Sequence, residues 1–213
     1  GGGILISNVE HHAIEILFSQ FTNNTAENGA GLYMTFIKNG SILSSKFSHN
    51  HVLQKGAGIY GQNIKFMYNK HLNLFKNVAM KGGGLYYMGI ISIFISLSSF
   101  HKNIAENSGG SSFLHNIRDG QVQLSKFYYN RATAGAGLYL DNLSKTKDSQ
   151  NNSMGNFAIS RGAFIKNLAD TKGAAIFTRQ YYKFVVNSSK FISNVCKHGI
   201  LYSENMIQIS ILL

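Results

Sequence analysis

Residues 127–139, FYYNRATAGAGLY, contain both marks of the repeat that decides the fold of this 213-residue chain. The first mark is a Phe-x-x-Asn motif, here Phe127 and Asn130, and the second is a small-residue box followed by an apolar pair, here residues 135–139. Both marks recur about every 27 residues. Two independent marks that keep one period indicate a chain built from stacked repeats.

Copies of both marks extend over nearly the whole chain. The boxes begin at Gly1, Gly29, Gly56, Gly82, Gly109, Gly135, Gly173 and Gly199. The motif occurs at Phe21/Asn24, Phe47/Asn50, Phe100/Asn103, Phe127/Asn130, Phe164/Asn167 and Phe191/Asn194. A further copy at Phe75 departs from the motif, because Val78 stands where the Asn is expected.

Other positions also keep one size class when the copies are aligned on the Phe. The residue five before it is mostly Ile or Val, the residue two before it is small or short, and the residue five after it is mostly Ala. In the copy at Phe75 these positions are Lys70, Asn73 and Met80. Such columns are expected where equivalent residues lie about 4.8 Å apart on neighbouring rungs of a parallel ladder.

We therefore predict an all-β fold, a right-handed single-stranded parallel β-helix (β-solenoid) of about seven coils of about 27 residues, occupying residues 1–213 as one segment. An inward Phe column is predicted for Phe21, Phe47, Phe75, Phe100, Phe127, Phe164 and Phe191. An inward Asn column, with amides hydrogen-bonded from coil to coil, is predicted for Asn24, Asn50, Asn103, Asn130, Asn167 and Asn194. The boxes are expected at sharp corners that need positive φ or leave no room for a Cβ.

Leucine-rich repeats share this period and are the main architectural alternative. Their pattern requires Leu two residues before the final apolar position, where this chain has Ser, Asn or Gly in our alignment. No amphipathic helix pattern fills the other half of the repeat. A parallel β-helix is therefore the preferred prediction.

One repeat is longer than the others by about ten residues. The excess is polar and predicts a loop insertion at residues 141–153, which is either a tolerated surface insertion or a binding loop. The chain opens on three glycines and ends inside an apolar run at residues 207–213, so we expect it to be a segment of something longer.

The net charge of +11 favours anionic partners. The Lys residues are scattered and accompany no basic helix or zinc pattern, so nucleic acid is not an expected partner. Lys55, Lys81 and Lys172 stand just before boxes and are the candidate contacts for a polyanion or anionic glycan, although a solvated edge is the simpler interpretation.

No enzymatic site is predicted. The nine Asp and Glu residues do not cluster in the sequence, and neither a metal site nor a cofactor site is expected. Cys196 stands in the Ala column and is interpreted as a small interior residue. The alternative is a polysaccharide lyase or hydrolase acting on acidic glycans, for which Asp119 and Asp170 would be the residues to mutate.

The pairing of a Gly-rich box with Phe-x-x-Asn in each repeat resembles the polymorphic outer membrane protein repeat of chlamydial surface autotransporters. The resemblance covers nearly the whole chain, with departures at Val78 and at Ser111-Ser112. It implies a pectin-lyase-like β-helix at the cell surface or outside the cell, acting in adhesion without catalysis. Its implied partners are anionic glycans or host-surface polymers, and membrane attachment would come only from parts outside this segment.

Overall fold

A computed structural model describes residues 2–142, 155–205 and 208–212, and shows a parallel β-solenoid of about seven turns. Here each coil is numbered by its residue in the Phe column, from coil 1 to coil 7. The described residues form 24 strands and no helix. In chain order these are β1 (Ile4–Leu17), β2 (Gln20–Thr22), β3 (Thr25–Asn28), β4 (Leu32–Leu43), β5 (Lys46–Ser48), β6 (His51–Lys55), β7 (Ile59–Lys70), β8 (Asn73–Phe75), β9 (Val78–Lys81), β10 (Leu85–Ser96), β11 (Ser99–His101), β12 (Ile104–Ser108), β13 (Ser112–Gln123), β14 (Lys126–Tyr128), β15 (Arg131–Ala134), β16 (Leu138–Asp141), β17 (Asn156–Ser160), β18 (Ala163–Ile165), β19 (Leu168–Lys172), β20 (Ile176–Arg179), β21 (Lys183–Asn187), β22 (Lys190–Ile192), β23 (Leu201–Glu204) and β24 (Gln208–Leu212).

Successive coils stack their strands into three parallel sheets. The first sheet has the order β1-β4-β7-β10-β13-β16-β20-β23, and β17, β21 and β24 continue it beside the second half of β13. The second sheet has the order β2-β5-β8-β11-β14-β18-β22, and the third has the order β19-β15-β12-β9-β6-β3. The helix required by leucine-rich repeats is absent from the described residues, which removes that alternative.

The chain turns at residues with left-handed backbone geometry that recur at equivalent places in the coils. One such corner is the first Gly of each box from Gly29 onward, for example Gly56 with φ of 63°. A Cβ there would overlap the backbone carbonyl of Ile59, so the predicted role of the boxes is confirmed. Two further corners enclose each short strand of the second sheet, such as Ser44 and His49 around β5.

The Phe column fills the interior, with one correction. Phe100 and Phe127 stack at a centroid distance of 4.8 Å and both are fully buried. In coil 3, however, Leu74 and not Phe75 pairs with Phe47 and Phe100. Our placement of Phe75 in the column was wrong by one residue, because buried Leu74 fills the interior while the ring of Phe75 lies on the outer side of the same strand.

The same shift restores the Asn column, which is continuous from coil 1 to coil 7. Asn77, not Val78, is the coil 3 member: its Nδ2 donates to Asn103 Oδ1 at 3.0 Å, and its Oδ1 accepts from Asn50 Nδ2 at 3.0 Å. Asn77 Nδ2 also donates to the carbonyl of Phe47 at 2.9 Å. Each amide thereby bonds the coil before it and the coil after it.

The remaining columns of coil 3 move with it. Asn69, Leu72 and Ala79 replace the predicted Lys70, Asn73 and Met80. Leu72 makes the second column less uniform than we predicted. The polar Asn69 lies in the interior, where Tyr87 donates its hydroxyl to Asn69 Oδ1 at 3.2 Å and Asn69 Nδ2 has no hydrogen-bond partner among the described residues.

The predicted insertion falls between β16 and β17 of the first sheet. Asp141, which we assigned to the loop, is the last residue of β16 and pairs with His115 and Arg179. Residues 143–153 of the predicted insertion lie outside the described residues. The two halves of the long strand in coil 6 are therefore β16 and β17, which pair with the two halves of β13.

Candidate anion-binding face

The three lysines predicted from the sequence are not gathered at one place. Lys55 and Lys81 are paired residues of β6 and β9, in the adjacent coils that we predicted. Lys172 lies farther along the same column, beyond two intervening coils. Its ammonium is 3.0 Å from the carboxylate of Glu204, so its charge is already matched.

These lysines cover a row of rings on the outside of the first sheet, which we call the outer aromatic stack. Its members are Tyr33, Tyr60, Tyr86, Phe113, Tyr139, Phe177 and Tyr202. Lys55 Nζ lies 5.3 Å from the ring centroid of Tyr86, and Lys81 Nζ lies 5.5 Å from that of Phe113. Burial raises the pKa of Tyr86 to about 12. The side chains of Lys55 and Lys81 therefore cover rings of the outer aromatic stack.

The outer face of the second sheet differs in character. Each strand of this sheet has three residues, and the middle one points inward, so the first and third point outward. In β14, Phe127 is buried, whereas Lys126 is exposed and Tyr128 is half-buried. The left-handed residue that follows, Tyr129, is exposed as well.

Charge is distributed very unevenly around the coil. The seven segments that carry this outer face contain seven of the chain's 20 Lys and Arg residues and none of its nine Asp and Glu residues. The segments are residues 18–24, 44–50, 71–77, 97–103, 124–130, 161–167 and 188–194. We define the cationic face as Lys46, Lys76, Lys102, Lys126, Lys166 and Lys190 with the rings of Phe75, His101 and Tyr128.

The three rings form a ridge along the middle of the cationic face. The centroids of Phe75 and His101 are 4.8 Å apart, as are those of His101 and Tyr128. Stacking covers the faces that neighbouring rings turn towards each other and leaves the ring edges outward, where an aromatic quadrupole is positive. The Nζ atoms of Lys46 and Lys76 lie 5.7 and 5.5 Å from the Phe75 centroid. Both ammonium groups thus lie over the Phe75 ring, in the arrangement of a cation–π contact.

The lysines of this face remain without matching carboxylates. Of the ion pairs within the described part of the chain, none involves any of the six lysines. Burial, followed by the charges of Lys102 and Lys76, lowers the pKa of His101. Five of the six lysines are exposed and Lys46 is partly so. This arrangement concentrates positive charge on one side of the coil.

The two carboxylates named for the enzymatic alternative lie on different faces. Asp119 is on the first sheet, with Oδ2 3.0 Å from Arg118 Nε and Oδ1 3.4 Å from Asn156 Nδ2. Asp170 is on the third sheet, 3.8 Å from Nη2 of Arg131. The fold does not bring them together as an acid and a base.

A self-neutralised charge ladder runs along the first sheet. It consists of His115, Asp141, Arg179 and Glu204 on successive rungs. Arg179 binds Asp141 through two hydrogen bonds, of 3.1 and 2.8 Å. Burial alone would raise the pKa of Asp141, but His115 and Arg179 hold it at about 2. Through Asp141, these contacts tie β16, the strand that precedes the predicted insertion, to β13 and β20.

Within the described ranges, no group of three or more His, Cys, Asp or Glu side chains is placed to hold a metal ion. No helix in that part of the chain is long and apolar enough to cross a membrane. No family model matches the chain, and neither a curated protein nor a solved structure is significantly similar to it.

Proposed function

We propose that this segment is a non-enzymatic rod within a larger surface or secreted protein, and that it binds anionic polymers through the cationic face. The observation that carries the proposal is the segregation of charge: six lysines project from one sheet on which no carboxylate stands. Clustered charge of one sign raises the local concentration of oppositely charged partners.

The architecture is suited to display along a line. Each coil contacts its neighbours and repeats the same outward positions, so equivalent side chains recur along the solenoid axis. The boxes and Phe-x-x-Asn motifs resemble those of polymorphic outer membrane proteins, which supports a pectin-lyase-like β-helix that acts in adhesion at the cell surface or outside the cell. Membrane attachment would then come from parts outside this segment.

The test is binding of a long polyuronate to the segment at two salt concentrations, with two matched double variants. The first variant, Lys76→Gln/Lys102→Gln, removes two charges from adjacent coils of the cationic face. The second variant, Lys55→Gln/Lys81→Gln, removes the two charges that lie over the outer aromatic stack, also in adjacent coils. We expect the first pair to weaken binding about tenfold at low salt and the second to change it much less. The wild type should bind more weakly at high salt.

The opposite ranking of the two variants would show that the lysines predicted from the sequence form the site. Equal binding by all three proteins would refute an electrostatic site on either face. Product analysis on the same samples tests the absence of catalysis, because shortened or unsaturated sugar products would make the segment an enzyme.

A further inference from the structure

The lysines of the cationic face follow the axis of the solenoid with one lysine in each coil. Coils 2 to 7 contribute, in order, Lys46, Lys76, Lys102, Lys126, Lys166 and Lys190. Neighbouring strands in a sheet are about 4.8 Å apart. The six lysines, one in each of six coils, are therefore separated by five such spacings and extend over about 24 Å of the axis. On this face, lysine therefore recurs once in each of coils 2 to 7, and Arg161 adds a second cation in coil 6.

We infer that the cationic face binds a linear polysaccharide that carries one anionic group per sugar, and that this polymer runs along the solenoid axis with about one anion facing each coil. This inference rests on the function proposed above. It adds the class of polymer, its direction and its charge spacing.

The direction follows from where the lysines stand in each coil. Three of them precede the Phe column residue and three are left-handed corner residues, so they occupy both sides of the ring ridge. The first set is Lys46, Lys126 and Lys190, and the second set is Lys76, Lys102 and Lys166. A chain that follows the line of the ridge passes a lysine on one side or the other in each of coils 2 to 7. A chain crossing the sheet would meet only the one or two lysines of neighbouring coils.

The charge spacing also favours a glycan over a nucleic acid. Duplex DNA carries one charge per about 1.7 Å of its axis, which places nearly three phosphates against each rung of about 4.8 Å. A single nucleic-acid strand in the duplex geometry has one phosphate per about 3.4 Å. A polymer with one carboxylate or sulfate per sugar has a sparser charge that is closer to one per coil. The faces between Phe75, His101 and Tyr128 are, moreover, already covered by stacking and are closed to bases.

The experiment measures the affinity of the whole segment for uronate oligosaccharides of two to twelve sugars, with uncharged oligosaccharides of the same lengths as controls. We expect affinity to rise with each added sugar and to level off at about six sugars, when all six rungs are occupied. Uncharged oligosaccharides should not bind. Oligothymidylates with the same number of charges should bind more weakly than the uronates.

A second measurement tests the axial direction. Lys46→Gln/Lys166→Gln changes two lysines four coils apart, and Lys38→Gln/Lys65→Gln removes the same charge from exposed lysines of the first sheet. We expect the first variant to bind the uronate hexamer about tenfold more weakly and the second to bind it within about twofold of the wild type.

The outcomes separate this inference from the proposed function. If the double variant at Lys76 and Lys102 loses long polyuronate but the wild type binds dimers as well as hexamers, the face binds anions and the axial arrangement is wrong. If oligothymidylate bound more tightly than the uronates, the preferred partner of the cationic face would be a nucleic acid and not a glycan. If no cationic-face variant alters binding of any polymer, the proposed function fails and the inference fails with it.

Discussion

Replacing Asn77 by Ala tests both the Asn column and the corrected alignment of coil 3. The Asn77 side chain is fully buried and receives the backbone N–H of Asn50 at 3.1 Å and its Nδ2 at 3.0 Å. It also donates to the carbonyl of Phe47. Asn77 Nδ2 also donates to Asn103 Oδ1, so the alanine variant would remove four buried hydrogen bonds of this side chain.

The cost follows from those hydrogen bonds. A buried hydrogen bond contributes about 0.5–1.5 kcal/mol net, so the loss of four gives about 4 kcal/mol. The loss can exceed that sum, because Asn77 stands in the middle of a network whose members support one another. Urea denaturation followed by circular dichroism measures the change as a lower transition midpoint.

Asn73→Ala is the matched control, because Asn73 belongs to the same coil but is exposed on the outer face. Its effect should stay within about 0.5 kcal/mol. A second comparison is Val78→Ala, at the position first assigned to the Asn column. If Asn77→Ala were as mild as Asn73→Ala, or if Val78→Ala were the most damaging of the three, the alignment and its hydrogen bonds would be wrong.

Two further predictions concern the interior and the charge ladder. Phe127→Asp should prevent stable folding, because it places an unpaired charge at a fully buried position, whereas Lys81→Ala should leave folding intact; circular dichroism of both variants decides this, and a well-folded Phe127→Asp would contradict the inward Phe column. The pKa of Asp141 is lowered from 3.8 to about 2, so its carboxylate contributes stability above pH 4 that is lost as the pH falls towards 2. Asp141→Asn should cost about 2 kcal/mol at pH 7 and remove that part of the pH dependence, as urea titrations at pH 7 and pH 3 would show; parallel pH profiles for the two proteins would count against the assignment.

The sequence contained enough information for the coils and corners, because columns of one size class arise only when repeats are stacked. The error at Phe75 arose because we aligned coil 3 on its aromatic residue and gave less weight to the repeat spacing, which indicates Leu74. Asn77 lies 27 residues from Asn50 and 26 from Asn103, which matches the spacing of the boxes, and Leu74 keeps the same register. A buried Leu fills the interior as an apolar residue of suitable size.

The cationic face escaped prediction for a related reason. Its lysines occupy two different columns, one before the Phe position and one before the Asn position. Aligning coil 3 on Phe75 moved Lys76 out of the column that it shares with Lys102 and Lys166. The lysines before the boxes were easier to notice because they adjoin a conspicuous motif. Their contacts with rings and with Glu204 depend on side-chain packing that spacing alone does not specify.

Stacking places like residues next to one another, and this has opposite consequences inside and outside the solenoid. An Asn column is stable inside because each amide both donates and accepts. Charged columns outside are stable only when their charges are separated or matched. The ladder from His115 to Glu204 matches them by alternating carboxylates with basic side chains on successive rungs. On the cationic face the lysines are instead spread over two columns, with only Lys76 and Lys102 consecutive in one of them. On the first sheet, carboxylates of the chain itself match the basic side chains on neighbouring rungs. On the cationic face, the anionic groups of a bound polymer lying along the axis would take the place of those carboxylates.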